Sequence, residues 1–204
     1  MKEYEILRLL MNNKFICKVT YPEAYSLLKD NNAAYERITS QLKPFGVKLV
    51  ALCDGDVFAG MNNEPTEGDK RAVVKQFHDI YHDIGPIVEM LACLSTADEG
   101  NILVHGENLS HSELVLEANN NMHFESMLTE VSEITGASKK PNDEKVLSLL
   151  DKLCKYEVLV LVEPNKKIYR ATGMVSYIYD VFEYITHNIL EHEEDVQEQQ
   201  GLGL

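Results

Sequence analysis

The chain has 204 residues, 45% of them hydrophobic, and a formal net charge of -14 from 33 acidic and 19 basic side chains. That length fits one large domain or two small ones, at roughly 100–200 residues per domain, and the hydrophobic share excludes a disordered chain. The acidic balance excludes general attraction to nucleic acid, and no run approaches the ~18 apolar residues of a membrane-spanning helix.

Taken in chain order, a first helix is predicted from about Lys2 to Met11, with Ile6, Leu7, Leu10 and Met11 on one face. Asn12-Asn13 stops it. Lys14–Val19 alternates as a short strand with Phe15, Cys17 and Val19 on one side. Thr20-Tyr-Pro-Glu23 opens a second helix with a capping-box pattern and Pro in the first turn. Asp30-Asn-Asn32 breaks that helix and caps a third, Ala33–Leu42, which ends before Pro44. A hairpin follows: Val47–Cys53, the turn Asp54-Gly55-Asp56, then Val57–Ala59. Helix, strand, helix, helix and a two-stranded wing is the order of a winged helix.

Asn62–Gly68 reads as a polar linker. Asp69–Ala97 reads as a long helix kinked at Gly85-Pro86, where proline removes an N–H. Ile102–His105 reads as a short strand. Ser110 or Ser112 caps a helix to about Ala118, and Met122–Ile134 forms another, with Met122, Met127, Leu128, Val131 and Ile134 on its apolar side. Gly136–Pro141 is a loop, and Asn142 or Asp143 caps the helix Glu144–Lys155, whose apolar face is Val146, Leu149, Leu150 and Leu153. A second wing follows: Val158–Val162, a turn over Glu163–Lys167, then Ile168–Ala171. After Gly173 a final helix runs to about Glu191, with Tyr177, Ile178, Val181, Phe182, Ile185 and Leu190 as its stripe. The acidic, Gln-rich end is expected to fray.

The fold class expected is therefore α+β, mostly helical: tandem winged-helix domains with a C-terminal helix. The divisions are 1–63 (N-terminal winged helix), 64–100 (kinked helical connector and dimer region), 101–192 (C-terminal winged helix with its final helix) and 193–204 (flexible tail). The four cysteines form no C-x-x-C and Met1–Glu5 has no apolar leader, which predicts reduced thiols in a cytoplasmic protein.

Motifs for chemistry are sparse. There is no G-x-S-x-G elbow, no phosphate loop and no G-x-G-x-x-G. His78 and His82 share a helix face at i, i+4, but no third ligand can be named; His187, Glu191 and His192 are a similar case. A solvated face is the reading for both, with no metal and no cofactor. Lys166, Lys167 and Arg170, with Lys139, Lys140, Lys145, Lys152 and Lys155 near in sequence, form the one cationic concentration, and the first three are the DNA-contact candidates. Tyr177, Ile178 and Val181 are the partner-binding candidates, because whatever part of the final stripe is uncovered suits a helix-in-groove or strand-addition partner.

Leu9-Leu10 with Lys14-Phe-Ile-Cys17, Tyr21-Pro-Glu-Ala-Tyr25, Gly46-Val-Lys-Leu49, and Ile168-Tyr-Arg-Ala-Thr-Gly173 running into Tyr177-Ile-Tyr-Asp-Val-Phe182 form a pattern that resembles the MukE/MksE family. These are the winged-helix (kite) subunits of bacterial SMC-type condensins. The resemblance implies a non-enzymatic subunit that dimerises and binds a kleisin (MksF-like). Through the kleisin it would meet an SMC ATPase (MksB-like), in chromosome organisation or plasmid defence. DNA binding by the isolated chain is expected to be weak and non-specific. The alternative is a stand-alone winged-helix transcription regulator, in which the Ala33–Leu42 or Glu144–Lys155 helix enters the major groove. Arg37 beside Glu36 is a poor basic recognition surface, which favours the condensin subunit.

Overall fold

A computed structural model describes residues 1–62, 85–97 and 101–185. The protein is a mixed α+β fold, mostly helical, with two three-stranded antiparallel sheets. The expected linker after its first residue Asn62, which ends a strand, the helix upstream of Gly85 with His78 and His82, and everything after Ile185, including His187 and the tail, lie outside the described residues.

The first unit contains α1 (Glu3–Met11), β1 (Ile16–Cys17), α2 (Pro22–Asp30), α3 (Asn32–Leu42), β2 (Val47–Leu52) and β3 (Val57–Asn62). In α1, Ile6 and Leu10 are fully buried one turn apart, and the Glu5 carboxylate accepts the Lys2 backbone N–H at 2.7 Å. That closes one free donor at the helix start. The Asn31 side chain accepts from the Ala34 N–H at 3.0 Å and caps α3 as expected. The capping box at Thr20 does not form. Pro22 opens α2 behind Tyr21, and the Thr20 hydroxyl instead donates to the Phe15 carbonyl and accepts from the Cys17 N–H, both at 3.2 Å. Those bonds close a turn over residues 18–20, so the strand expected over Lys14–Val19 shrinks to Ile16–Cys17.

β2 and β3 pair from Val47↔Asn62 to Leu52↔Val57, and β1 adds to the other edge of β3, giving the order β1-β3-β2. The hairpin tip is a run of positive φ through Cys53, Asp54 and Gly55. Lys29 Nζ and the Tyr25 hydroxyl both donate to the Gly55 carbonyl, at 3.0 and 3.3 Å, and tie the tip to α2. Gly60 lets β3 pass the end of α1: a Cβ there would stand 2.5 Å from the Leu10 carbonyl oxygen. Ile6, Leu10, Ile16, Leu28, Ile38, Leu42 and Phe58 fill the core beneath this sheet.

The second unit begins with α4 (residues 85–97), then β4 (Asn108–Ser110), α5 (His111–Asn120), α6 (Met122–Thr135), α7 (Asn142–Lys155), β5 (Leu159–Glu163), β6 (Ile168–Ala171) and α8 (Gly173–Ile185). Its sheet order, β4-β6-β5, repeats the pattern of the first. The periodic face of α7 is buried as its spacing requires: Val146, Leu149, Leu150 and Leu153 are at most 1% exposed. Ile87, Met90, Leu91, Cys93 and Leu94 of α4 lie in the same core. Over its described part, the segment expected as a connector (64–100) is therefore a core helix of the second unit.

Other local expectations change as well. Ile102–His105 is not a strand; the chain turns at Gly106 and the strand falls at Asn108–Ser110, paired with Ile168–Arg170. Met122 is 85% exposed at the first position of α6, and Phe124, fully buried, takes its place in the core. Ser110 precedes α5 without a side-chain cap bond; the Ser110 and Ser112 hydroxyls bond each other at 3.0 Å. Pro141 precedes α7, and the Asn142 amide, expected as a cap, donates to the Ala118 carbonyl at 3.2 Å.

Candidate functional site

The two units meet along a seam built from β1 and the first hairpin tip on one side, and from the start of α8, Glu157 and His105 on the other. Cys17 is 1% exposed and its sulfur accepts the Gly173 N–H at 3.3 Å. Helix α8 starts against the sheet so closely that a Cβ at Gly173 would lie 2.4 Å from Val57 Cγ2 and 3.0 Å from Cys17 Cβ. Beside this point Phe15 and Tyr177 stack edge-to-face with centroids 4.9 Å apart. Lys14 pairs with Glu157 at the rim, and Glu157 raises the Lys14 pKa by hydrogen bonding and charge.

The hairpin tip completes the seam. Burial pushes the Cys53 thiol up to about 12, and a hydrogen bond with Asp180 of α8 adds to it. Asp56 faces His105 at 4.0 Å, Oδ2 to Nδ1. Burial lowers the His105 pKa, Asp56 opposes that, and Lys18 adds to the lowering. The seam was not legible in the sequence, because each of its contacts joins segments far apart in the chain.

Most cations of the second unit's cluster are engaged within the chain, two of them by carboxylates. Lys166 Nζ lies 2.8 Å from Glu163, and Arg170 Nε donates to Asn108 Oδ1 at 2.8 Å, while Lys167 is exposed at the tip with φ of 50°. Lys140 pairs with Glu144 at 2.9 Å. Lys145 is buried, with its ammonium on the Thr129 hydroxyl at 2.9 Å. Lys152 lies over the Tyr156 ring, 5.3 Å from its centroid. Of this cluster, Lys167, Lys139 and Lys155 are thus left as exposed cations without an ion pair to a described residue.

The helix surfaces tell the same story. On α3 the exposed residues include Glu36, Arg37, Ser40 and Gln41, and the Arg37 guanidinium is held by Glu3 at 2.6 Å. On α7 the exposed positions include Asp143, Glu144, Asp151 and Lys155, an acidic set. Phosphate contacts from either face would be opposed by carboxylates or need a cation released from its partner.

Of the partner-binding candidates, Ile178 is 4% exposed inside the second core and Tyr177 is engaged with Phe15. Val181 is half-buried and Phe182 is 42% exposed, further along α8. Two of the three candidates are thus occupied by contacts within the chain. Among the described residues no cluster of three His, Cys, Asp or Glu side chains is arranged to hold a metal ion, and no helix is long and apolar enough to cross a membrane. No protein-family model matches the chain, and comparison with curated proteins finds no significant match.

Proposed function

We propose that this chain is a tandem winged-helix protein, an accessory subunit without catalysis of its own in an SMC-like condensin, and that it works by binding a kleisin. Two features support the winged-helix reading: each unit runs helix, strand, helices, hairpin, and each places its first strand beside its last. The second unit carries one extra helix, α6, between the helix that follows its first strand and the helix that precedes its hairpin.

The observation that carries the functional reading is the charge state of α3 and α7. These are the helices that a winged-helix DNA reader would lay in the major groove. On α3 the Arg37 cation is bound to Glu3, and the exposed face of α7 sets Asp143, Glu144 and Asp151 against Lys155. Such faces suit a protein partner, and the resemblance to kite subunits supplies its class. The partners are a kleisin directly and an SMC ATPase through it, with DNA held weakly and without sequence preference, and the protein acts as a homodimer in the cytoplasm at the nucleoid.

The test is affinity purification of the tagged chain from its native cell, followed by mass spectrometry. Recovery of a kleisin together with a long coiled-coil ATPase supports the reading. Recovery of neither, with tight binding to one defined operator at physiological salt, establishes a transcription regulator instead.

A further inference from the structure

His105 is a half-buried titratable side chain at the seam, 14% exposed, in the turn between Val104 and Glu107. Its Nε2 is buried and has no hydrogen-bond partner among the described residues. Its Nδ1 faces Asp56 across the seam at 4.0 Å, too far for a direct hydrogen bond. Lys18, in the turn after β1, places a second charge toward it, of opposite sign to Asp56.

We propose that this seam is a proton-sensitive hinge: protonation of His105 favours its opening, so that the two units part more often in acid than near neutral pH. In the closed state a neutral ring leaves one buried acceptor unfilled. Protonation turns that nitrogen into a charged donor with nothing to receive its hydrogen, a larger cost than an unfilled acceptor. Asp56 offsets part of that cost, but it is 56% exposed and screened by water. Lys18 repels the new charge. Opening hydrates the ring and removes all three constraints.

The direction follows from linkage. Burial makes the closed state bind the proton less tightly than the open state, in which the ring has its ordinary pKa near 6.5. The closed state is therefore favoured above about pH 6.5 and loses that advantage as pH falls toward the depressed value. The opening equilibrium shifts in acid by the ratio of the two proton affinities. The elements on either side can separate without unfolding a core, because β1 and α8 each keep their own unit's packing.

The experiment is hydrogen exchange of the full chain at about pH 7.5 and about pH 5, with rates corrected for intrinsic chemistry. Peptides spanning Phe15–Lys18 and Thr172–Tyr177 should exchange about three- to tenfold faster in acid, while peptides from α7 stay unchanged. His105→Gln should remove the acid step and keep neutral-pH protection. Asp56→Asn should enlarge the step, because the carboxylate that steadies the imidazolium is gone. An equal step in His105→Gln, or no step in the wild type, overturns the proposal. Should His105→Gln fail to fold, the wild-type His105 ring is titrated by NMR, and a midpoint at or above about 6.5 overturns it equally.

Discussion

The backbone N–H of Gly173 donates to the sulfur of Cys17 at 3.3 Å, across 156 positions of sequence. Gly173 is also the first residue of α8, so the bond fixes where the last described helix leaves the second sheet and meets the first. A side chain at this position has no room, because Val57 and Cys17 already occupy it.

Gly173→Ala should destabilise the protein by about 1–3 kcal/mol, the usual cost of overpacking a close contact. Urea unfolding checks it. Val57→Ala removes the nearer obstructing methyl, so the double variant should recover part of the loss. A coupling energy above about 0.5 kcal/mol in the cycle places the two residues in contact; additive losses would contradict the close approach.

The two ends of the first turn of α6 make a sharper contrast. Phe124 is fully buried and Met122 is 85% exposed. Phe124→Ala should cost about 3–5 kcal/mol, and Met122→Ala should stay within about 0.5 kcal/mol of the wild type. A thermal melt separates them.

Local chemistry explains how much of this was legible. Val146, Leu149, Leu150 and Leu153 repeat at helical spacing, and Asp54-Gly55 tolerates the positive φ of a hairpin tip, so α7 and both hairpins could be read directly. Helix α6 was found with Met127, Leu128, Val131 and Ile134 toward the core, and only Met122 was misplaced: at the first position it points away while Phe124 points in. The strand before α5 was displaced because Ile102–His105 looks apolar, whereas pairing with Ile168–Arg170 selects Asn108–Ser110. Thr20 was read as a cap because nothing local says that its hydroxyl is taken by Phe15 and Cys17. The basic residues were visible, but the partners that hold them were not: Glu3 reaches Arg37 over 34 positions and Asn108 reaches Arg170 over 62.

Three thiols should make the protein alkali-sensitive. Burial is the leading cause that pushes Cys53 and Cys93 up to about 12 and Cys154 up to about 11. The unfolded chain ionises these thiols near pH 8.5. Each raised group therefore contributes stability that is complete below about pH 8.5 and lost as pH rises toward the folded value. The urea midpoint should fall between about pH 9 and pH 11. Cys93→Ala should lower stability at neutral pH yet flatten that alkaline slope; an unchanged slope would exclude Cys93 as a contributor.

Asp180 gives the Cys53 thiol a second, removable cause. Its carboxylate accepts from the thiol and disfavours the thiolate through its charge. Asp180→Asn should lower the Cys53 pKa and speed its reaction with a thiol-specific reagent at about pH 8, in proportion to the thiolate fraction. The remaining rate is set by burial, so the gain should be severalfold, not a thousandfold. A kinetic trace of the native protein, with Cys53→Ser as the control, identifies the phase. A decrease in rate would contradict the arrangement.

DNA binding tests the fate of the basic residues most directly. Lys166 and Lys140 are ion-paired, Lys145 is buried, and Arg170 is held by Asn108, which leaves Lys167, Lys139 and Lys155 to meet phosphates. Each phosphate neutralised contributes about 0.9 to the slope of log K against log salt. A titration of duplex DNA should therefore give a slope no steeper than about -3, with binding lost near physiological salt and no preferred sequence. Lys167→Glu should weaken every sequence equally and shorten the slope by about one. Glu163→Gln should have the opposite effect, because it frees the Lys166 ammonium from its nearest carboxylate. A wild-type slope near -6 would mean that more than these three cations meet phosphates, from opened ion pairs or from Arg8, Lys18, Lys43 and Lys48 elsewhere on the surface. A slope that Glu163→Gln leaves unchanged would mean that the second hairpin does not touch the backbone.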